Sequence, residues 1–205
     1  MLQLYTPKEF KMSDRNEIVQ FVNANSFGIM VTTVDGVPQA THLPFFYDEE
    51  QNLLLAHMAR ANPQWKTMDG QSALVVFSGP HAYISPSWYG DTTSVPTWNY
   101  LAVHIVGRCT VLDNHDELGS ILEKTVQFYE PTSDLPSRSD QSFYQNMMRA
   151  IVGFRIDITS VEAKAKLSQN KSPIVQQRVI DHLSRSTDPD SLAVAQWMQE
   201  RLQNE

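Results

Sequence analysis

Residues 101–112 alternate with a period of two. Leu101, Val103, Ile105, Gly107, Cys109 and Val111 fall on one side, and Ala102, His104, Val106 and Arg108 on the other. Such a run predicts a long strand with one face on a core. A strand of this length needs partners, and the chain supplies them. Segments 72–77 and 82–84 read as strand, and 27–34 is rich in β-branched residues. Asp35-Gly36 is a two-residue hairpin signal leading into 37–47, where Pro38 and Pro44 predict an edge or an interruption. A turn at 49–52 precedes a strand at 53–58. Segment 151–158 alternates again and predicts burial of Val152, Phe154, Ile156 and Ile158.

Helices are expected at the ends and in one crossover. Asp14 with Glu17 resembles a capping pair ahead of Ile18, Phe21 and Val22, in a helix ending near Asn25. Asn114 with Glu117 caps a stripe of Leu118, Ile121, Leu122, Val126 and Tyr129, followed by a polar loop at 131–141. Two closing helices centre on Val175, Val179 and Leu183, and on Val194, Trp197, Met198 and Leu202, separated by 186–190. Hairpin-connected strands with peripheral helices predict a mainly β, α+β fold: a small antiparallel barrel with helices.

A chain of 205 residues, 41% hydrophobic, is long enough for a single domain with a substantial core. We expect the barrel over about 27–170 and a C-terminal helical segment over about 173–205. No apolar run is long enough for a membrane helix, and the first residues lack a signal-peptide pattern. One cysteine excludes an internal disulfide and a cysteine-built zinc site, and fits a reducing cytoplasm. The net charge of -7 argues against a broad nucleic-acid surface, because such surfaces neutralise phosphates.

Three stretches carry candidate chemistry. The segment 85–100 holds Trp88, Tyr89, Trp98 and Tyr100 beside Thr97 and Asn99. Flat aromatic bodies next to fixed polar groups suit a planar heterocycle; they equally suit a packed loop or half of a subunit interface. Around Arg60, Asn62 reads as an N-cap with Pro63 in the first helical position, followed by Trp65 and Lys66. A helix start beside a guanidinium is an anion site, or an ordinary cap with a solvated arginine. In 162–172, Lys164, Lys166 and Lys171 accompany Ser168, Gln169 and Asn170, as a closing element over an anionic heterocycle or as a solvated basic loop.

No glycine-rich phosphate loop, dinucleotide fingerprint, nucleophile elbow or H-E-x-x-H pattern occurs. The six histidines show no close pair at metal-ligand spacing, and Ser85 and Ser87 have no evident base. No catalytic residue and no metal ligand is assigned.

Several long motifs resemble one family. Leu43-Pro-Phe, His57-Met-Ala-Arg-Ala-Asn-Pro-Gln-Trp65, Ser78-Gly-Pro-His-Ala-Tyr-Ile-Ser-Pro-Ser-Trp-Tyr89, Val95-Pro-Thr-Trp-Asn-Tyr100, Val103-His104 and Lys164-Ala-Lys-Leu-Ser-Gln-Asn-Lys171 look like the PaiB family over nearly the whole chain. The resemblance implies an FMN-binding split β-barrel with flanking helices and a C-terminal helical hairpin. It further implies a homodimer with ligand sites between protomers, and negative transcriptional regulation. On this reading FMN is the cofactor. Arg60, Asn62 and Lys66 would hold the phosphate, Trp88, Trp98 and Tyr100 would wall the ring, and Gln169 and Asn170 would address its polar edge. His57, Trp65, Tyr89, Thr97, Asn99, Lys166 and Ser168 complete the expected set. The alternatives are a flavin-dependent oxidoreductase of the same fold and a haem-binding split barrel with His57 or His104 as ligand. The closing helices carry acidic residues and no glycine at their turn, so direct DNA contact by a helix-turn-helix is not expected.

Overall fold

The computed structural model describes residues 4–90, 93–134 and 142–204. Local signals start its elements. The Asp14 side chain accepts the Glu17 N–H at 2.8 Å ahead of α1 (Arg15–Ala24). Asp35 and Gly36 both have positive φ, 51° and 79°, as a type I′ turn requires. Strand β2 (Phe27–Val34) therefore folds back directly as β3 (Val37–Pro44), with Val34 opposite Val37. Strand β3 ends the sheet, where the missing N–H of Pro38 is tolerated. The expected run at 37–47 is broken after Pro44, and β4 (Phe46–Asp48) is separate.

Strand β1 (Lys11–Met12) pairs with β8 (Ile151–Lys166), as does β5 (Leu53–Ala59). With β6 (Ser72–Ile84) and β7 (Thr97–Leu112), the sheet runs β3-β2-β6-β7-β8-β5-β4 and stays open. Three expectations change in extent. Strand β6 is continuous through Pro80. Strand β7 begins four residues early, so 97–100 is strand instead of loop, and β8 reaches Lys166. The single-turn α2 (Trp65–Met68) follows β5, and α3 (His115–Tyr129) starts where Asn114 Oδ1 accepts the Glu117 N–H at 2.8 Å. Helix α4 (Ser142–Arg149) was not anticipated, and the polar loop at 131–141 is described only to residue 134. Helices α5 (Pro173–Leu183) and α6 (Pro189–Asn204) close the chain.

Contacts divide the chain into two compact units. The first comprises Met1–Ile18, Ser78–Val103 and Glu162–Glu205; the second comprises Val19–Phe77 and His104–Val161. In the second, Phe45 meets Phe77 and Phe154 edge-on, at 5.7 and 6.3 Å between centroids. This geometry favours the ring quadrupoles. The alternation of β8 is as expected for Val152, Phe154 and Ile156, all fully buried, while Ile158 is half-buried. In the first unit, Leu101, Val103 and Ala165 bury with Val179, Leu183, Val194 and Met198 of the closing helices.

Glycine is required where β7 nears β8. A Cβ on Gly107 would lie 2.4 Å from the Asp157 carbonyl oxygen and 2.5 Å from Ile156 Cγ2. Gly119, inside α3, would meet nothing closer than Met148 Cε at 3.9 Å. The two glycines therefore predict opposite signs. Gly107→Ala should cost about 1–3 kcal/mol through overpacking. Gly119→Ala should stabilise by roughly 0.5–1 kcal/mol through helix propensity. Urea denaturation of both variants measures this directly.

Candidate functional site

The second unit holds the Arg60 group. Strand β5 ends at Ala59, and the Arg60 N–H bonds Ala150 O at 2.8 Å, tying the strand end to the start of β8. The guanidinium continues that tie. Its Nε donates to Arg149 O at 3.0 Å, Nη2 to Ile151 O at 2.9 Å, and Nη1 and Nη2 together grip the Asp113 carboxylate. A guanidinium has five N–H donors, so among the described residues a single one on Nη1 is left over. The hydrogen bond to Asp113 keeps the guanidinium still more firmly protonated, and the same bond holds the Asp113 carboxyl below its ordinary range.

Asn62 does not cap a long helix. Its Oδ1 accepts the Gln64 N–H at 3.0 Å, an Asx turn, and its Nδ2 donates to Thr41 Oγ1 at 3.1 Å. Gln64, buried, bonds both Thr41 and Thr32. Helix α2 is one turn long, so the helix-dipole component of the expected anion site is small. The Trp65 indole donates to Arg60 O at 2.9 Å, and its ring lies 5.7 Å from the Arg60 guanidinium carbon and 5.9 Å from Lys66 Nζ. Lys66 is exposed, with no described carboxylate at ion-pair distance. His57, in β5, is largely buried and its Nδ1 has no hydrogen-bond partner among the described residues. Burial holds its imidazole below the usual histidine range.

The first unit holds a cavity of about 390 Å³. Of the residues singled out by sequence, Tyr89, Thr97, Asn99, Lys166, Ser168 and Asn170 line it. Phe10, Thr93, Ser94, Val95 and Lys171 complete the wall. Asn99 is fully buried, its Nδ2 lying 3.0 Å from Ser168 Oγ and 3.4 Å from Met198 Sδ. Lys166 Nζ donates to Thr97 Oγ1 and, at 2.9 Å, to Trp98 O. Burial pushes its ammonium below the usual lysine range, and the neighbouring Lys164 charge adds to this. Lys171 Nζ lies 4.6 Å from the Tyr89 ring centre and 3.3 Å from Ser94 Oγ.

The other expected residues of this unit have different neighbours. Trp88 stacks on His182 of α5, with centroids 5.0 Å apart and planes 8° from parallel. Tyr100 lies 5.3 Å from Lys164 Nζ, which also donates to Tyr5 O. Gln169 folds back on the backbone, accepting the Leu167 N–H and donating to Ala165 O. Trp98 is 52% exposed beside His81 and Tyr83. Sequence reasoning missed Asp113 as the partner of Arg60 and Gln64 as the centre of a buried network. It also missed Phe10 as cavity wall; only the capping pattern next to Asp113 marked that neighbourhood at all.

A family described as "Putative FMN-binding domain" matches residues 4–160. The protease synthase and sporulation protein PAI 2 of Bacillus subtilis (strain 168) is 39% identical over 208 residues, covering 98% of this chain and 100% of that protein. The chain belongs to the PaiB family. FMN is the cofactor that the family description names. Two solved structures show the fold. The flavocytochrome Anf3 from Azotobacter vinelandii has a TM-score of 0.61 and 14% identity, over 76% of this chain and 69% of that one. The FAD and heme binding protein from Mycobacterium smegmatis has a TM-score of 0.62 and 14% identity, over 76% and 73%. This PaiB-family chain therefore has the flavin-binding split-barrel fold, its sheet open as described.

The burial of His57 sets a pH dependence. Its folded pKa is depressed, so the unfolded chain takes up the proton first as pH falls through about 6.5. The contribution of His57 to stability should be intact above that point and diminish below it, until the folded imidazole also protonates. His57→Gln should therefore lose less stability than the native chain between pH 7.5 and 5. Urea midpoints at the two pH values read the difference; equal losses would mean that the imidazole charges freely when folded.

Proposed function

We propose that this chain is a flavin-binding regulatory protein of the PaiB kind, active as a homodimer, in which the state of the bound FMN biases its interaction with a partner protein. What carries the reading is the likeness to PAI 2 along almost the whole chain, combined with the FMN-domain match over residues 4–160. The net charge of -7 favours regulation through a protein partner over direct DNA contact.

The Arg60 group fits the phosphate end of FMN by charge. Lys66 offers an exposed ammonium without a described carboxylate partner, and Arg60 keeps one N–H free. On this reading Lys66 is the main phosphate contact. Arg60 chiefly supports the loop, since Asp113 already neutralises it. Bound FMN would supply a reversible two-electron centre; the chain's part is to hold it and shape its surroundings. Lys166, Ser168 and Asn170 lie beyond the FMN-domain match and are considered separately below.

The test is a fluorescence titration with FMN and riboflavin, which differ only in the phosphate. Lys66→Met should weaken FMN by about 1.5–3 kcal/mol, the range for a hydrogen bond to a charged group, and leave riboflavin unchanged. Arg60→Ala should weaken both alike. Failure of the native chain to bind either flavin would remove the reading. Sustained oxidation of a nicotinamide donor by the FMN-loaded chain would make it an oxidoreductase instead.

The homodimer has its own check. An open sheet leaves edges and apolar surface that one chain does not cover, and Phe27 and Val95 are 65% and 71% exposed. Sedimentation equilibrium at micromolar concentration should give twice the chain mass of 23.3 kDa. A stable monomer would contradict it.

A further inference from the structure

The first-unit cavity is unusual in its charge. Lys166 and Lys171 both face it, and no described carboxylate lies at ion-pair distance from either. In a chain of net charge -7, two ammonium groups in one concave site without a carboxylate among the described residues are a departure. Partly buried cations without counter-charge are costly unless something else supplies it. Donor capacity remains as well. Two N–H groups of Lys166 are used by Thr97 and Trp98, and Lys171 has Ser94 besides the Tyr89 ring, so among the described residues three N–H donors are unspent.

The wall behind these lysines is already built. Ser168 holds a left-handed backbone, φ 65°, although it is not glycine. Four bonds keep it there: Asn99 to its side chain, the Lys171 N–H to its carbonyl at 2.9 Å, and the two of the Gln169 side chain, to the Leu167 N–H and Ala165 O. Gln176 of α5 then fixes Lys171 O at 3.0 Å. Strained backbone held by several neighbours is a feature of ligand sites. The FMN-domain match ends at residue 160, before Lys166, Ser168 and Lys171. All the lining residues belong to the first unit, whereas the Arg60 group belongs to the second.

We infer that this cavity is a second ligand site, separate from the flavin, for a compact organic anion bearing phosphate or carboxylate groups. Lysine serves either group, because it acts as a point charge without the planar fork of arginine. A volume of about 390 Å³ lies at the small end of ligand pockets, which excludes a bulky occupant. Phe10 and Tyr89 give one apolar wall, so the ligand has a carbon body as well as its charges. The inference does not depend on FMN binding.

Calorimetric titration of the full chain at low salt, with pyrophosphate and citrate as probes, tests it. At least one should bind once per chain, and which one identifies the preferred anionic group. Lys166→Met and Lys171→Met should each weaken that probe by about tenfold or more, the loss expected for a charge-assisted contact. Lys171→Arg should retain binding and shows that the position tolerates exchange without unfolding. FMN titrated into Lys171→Met should bind as it does to the native chain. Absence of binding by both probes, or equal affinity in the methionine variants, would overturn the site. Parallel loss of FMN and probe would overturn its separateness and make it the flavin's own pocket. A native chain that takes the anion but no flavin would refute the flavin proposal and leave this one standing.

Discussion

Strand β7 passes so close to β8 that residue 107 has no room for a side chain, and the rest of the sheet follows from that contact. The approach of Gly107 to the Asp157 carbonyl sets the pairing of the two strands. Farther along, Thr159 Oγ1 reaches Val106 O at 3.0 Å and Ser168 meets Asn99. These contacts step in opposite directions along the two strands, as antiparallel partners must. Side chains alternate with a period of two, so Asn99 shares a face with Leu101, Val103 and Ile105 and is buried with them. A one-residue slip would turn Asn99 outward and expose the apolar run. Core packing and the polar floor of the cavity are thus set by one register.

The cations sort by what already neutralises or packs them. Lys124 meets Asp48 at 2.6 Å, where Asp48 is nearly buried, and so fastens α3 to β4. Arg60 is spent on Asp113 and two carbonyls. Lys164 lies within cation–π distance of Tyr5 and Tyr100 and has a carbonyl as acceptor. All three belong to the architecture. Lys66, Lys166 and Lys171 have aromatic rings or neutral oxygens for company and no described carboxylate. Residue type alone did not separate these two groups. Arg60 looked the most promising anion ligand of all, and a carboxylate 53 positions away together with two backbone carbonyls takes four of its five donors.

What the sequence disclosed was local. The turn at Asp35-Gly36, the caps at Asp14 and Asn114 and the alternation of β7 depend on neighbours within a few residues, and each was readable. The aromatics and prolines of 85–100 suggest irregular chain through residues 97–100. In the structure segment 97–100 continues the β7 alternation, with Asn99 in and Trp98 out. The partners of Trp88 and Arg60 lie on elements remote in sequence, and no spacing rule marks His182 or Asp113 as theirs. Family motifs supplied a list of residues but not their grouping. The structure divides that list between two units.

Fold likeness takes the functional argument only so far. Two structures with TM-scores of 0.61 and 0.62 share 14% identity with this chain, so they speak for its backbone and not for its ligands. The relation to PAI 2 is of another kind, because it runs the length of both chains while the FMN-domain match stops at residue 160. What lies past that point is the end of β8, the loop with its left-handed serine, and helices α5 and α6. Those elements contact Trp88, Tyr89 and Asn99. His182 stacks on Trp88, Arg178 donates to Tyr89 O, and Met198 touches Asn99. The C-terminal portion therefore completes one wall of the lysine cavity, and its helices brace Trp88, Tyr89 and Asn99.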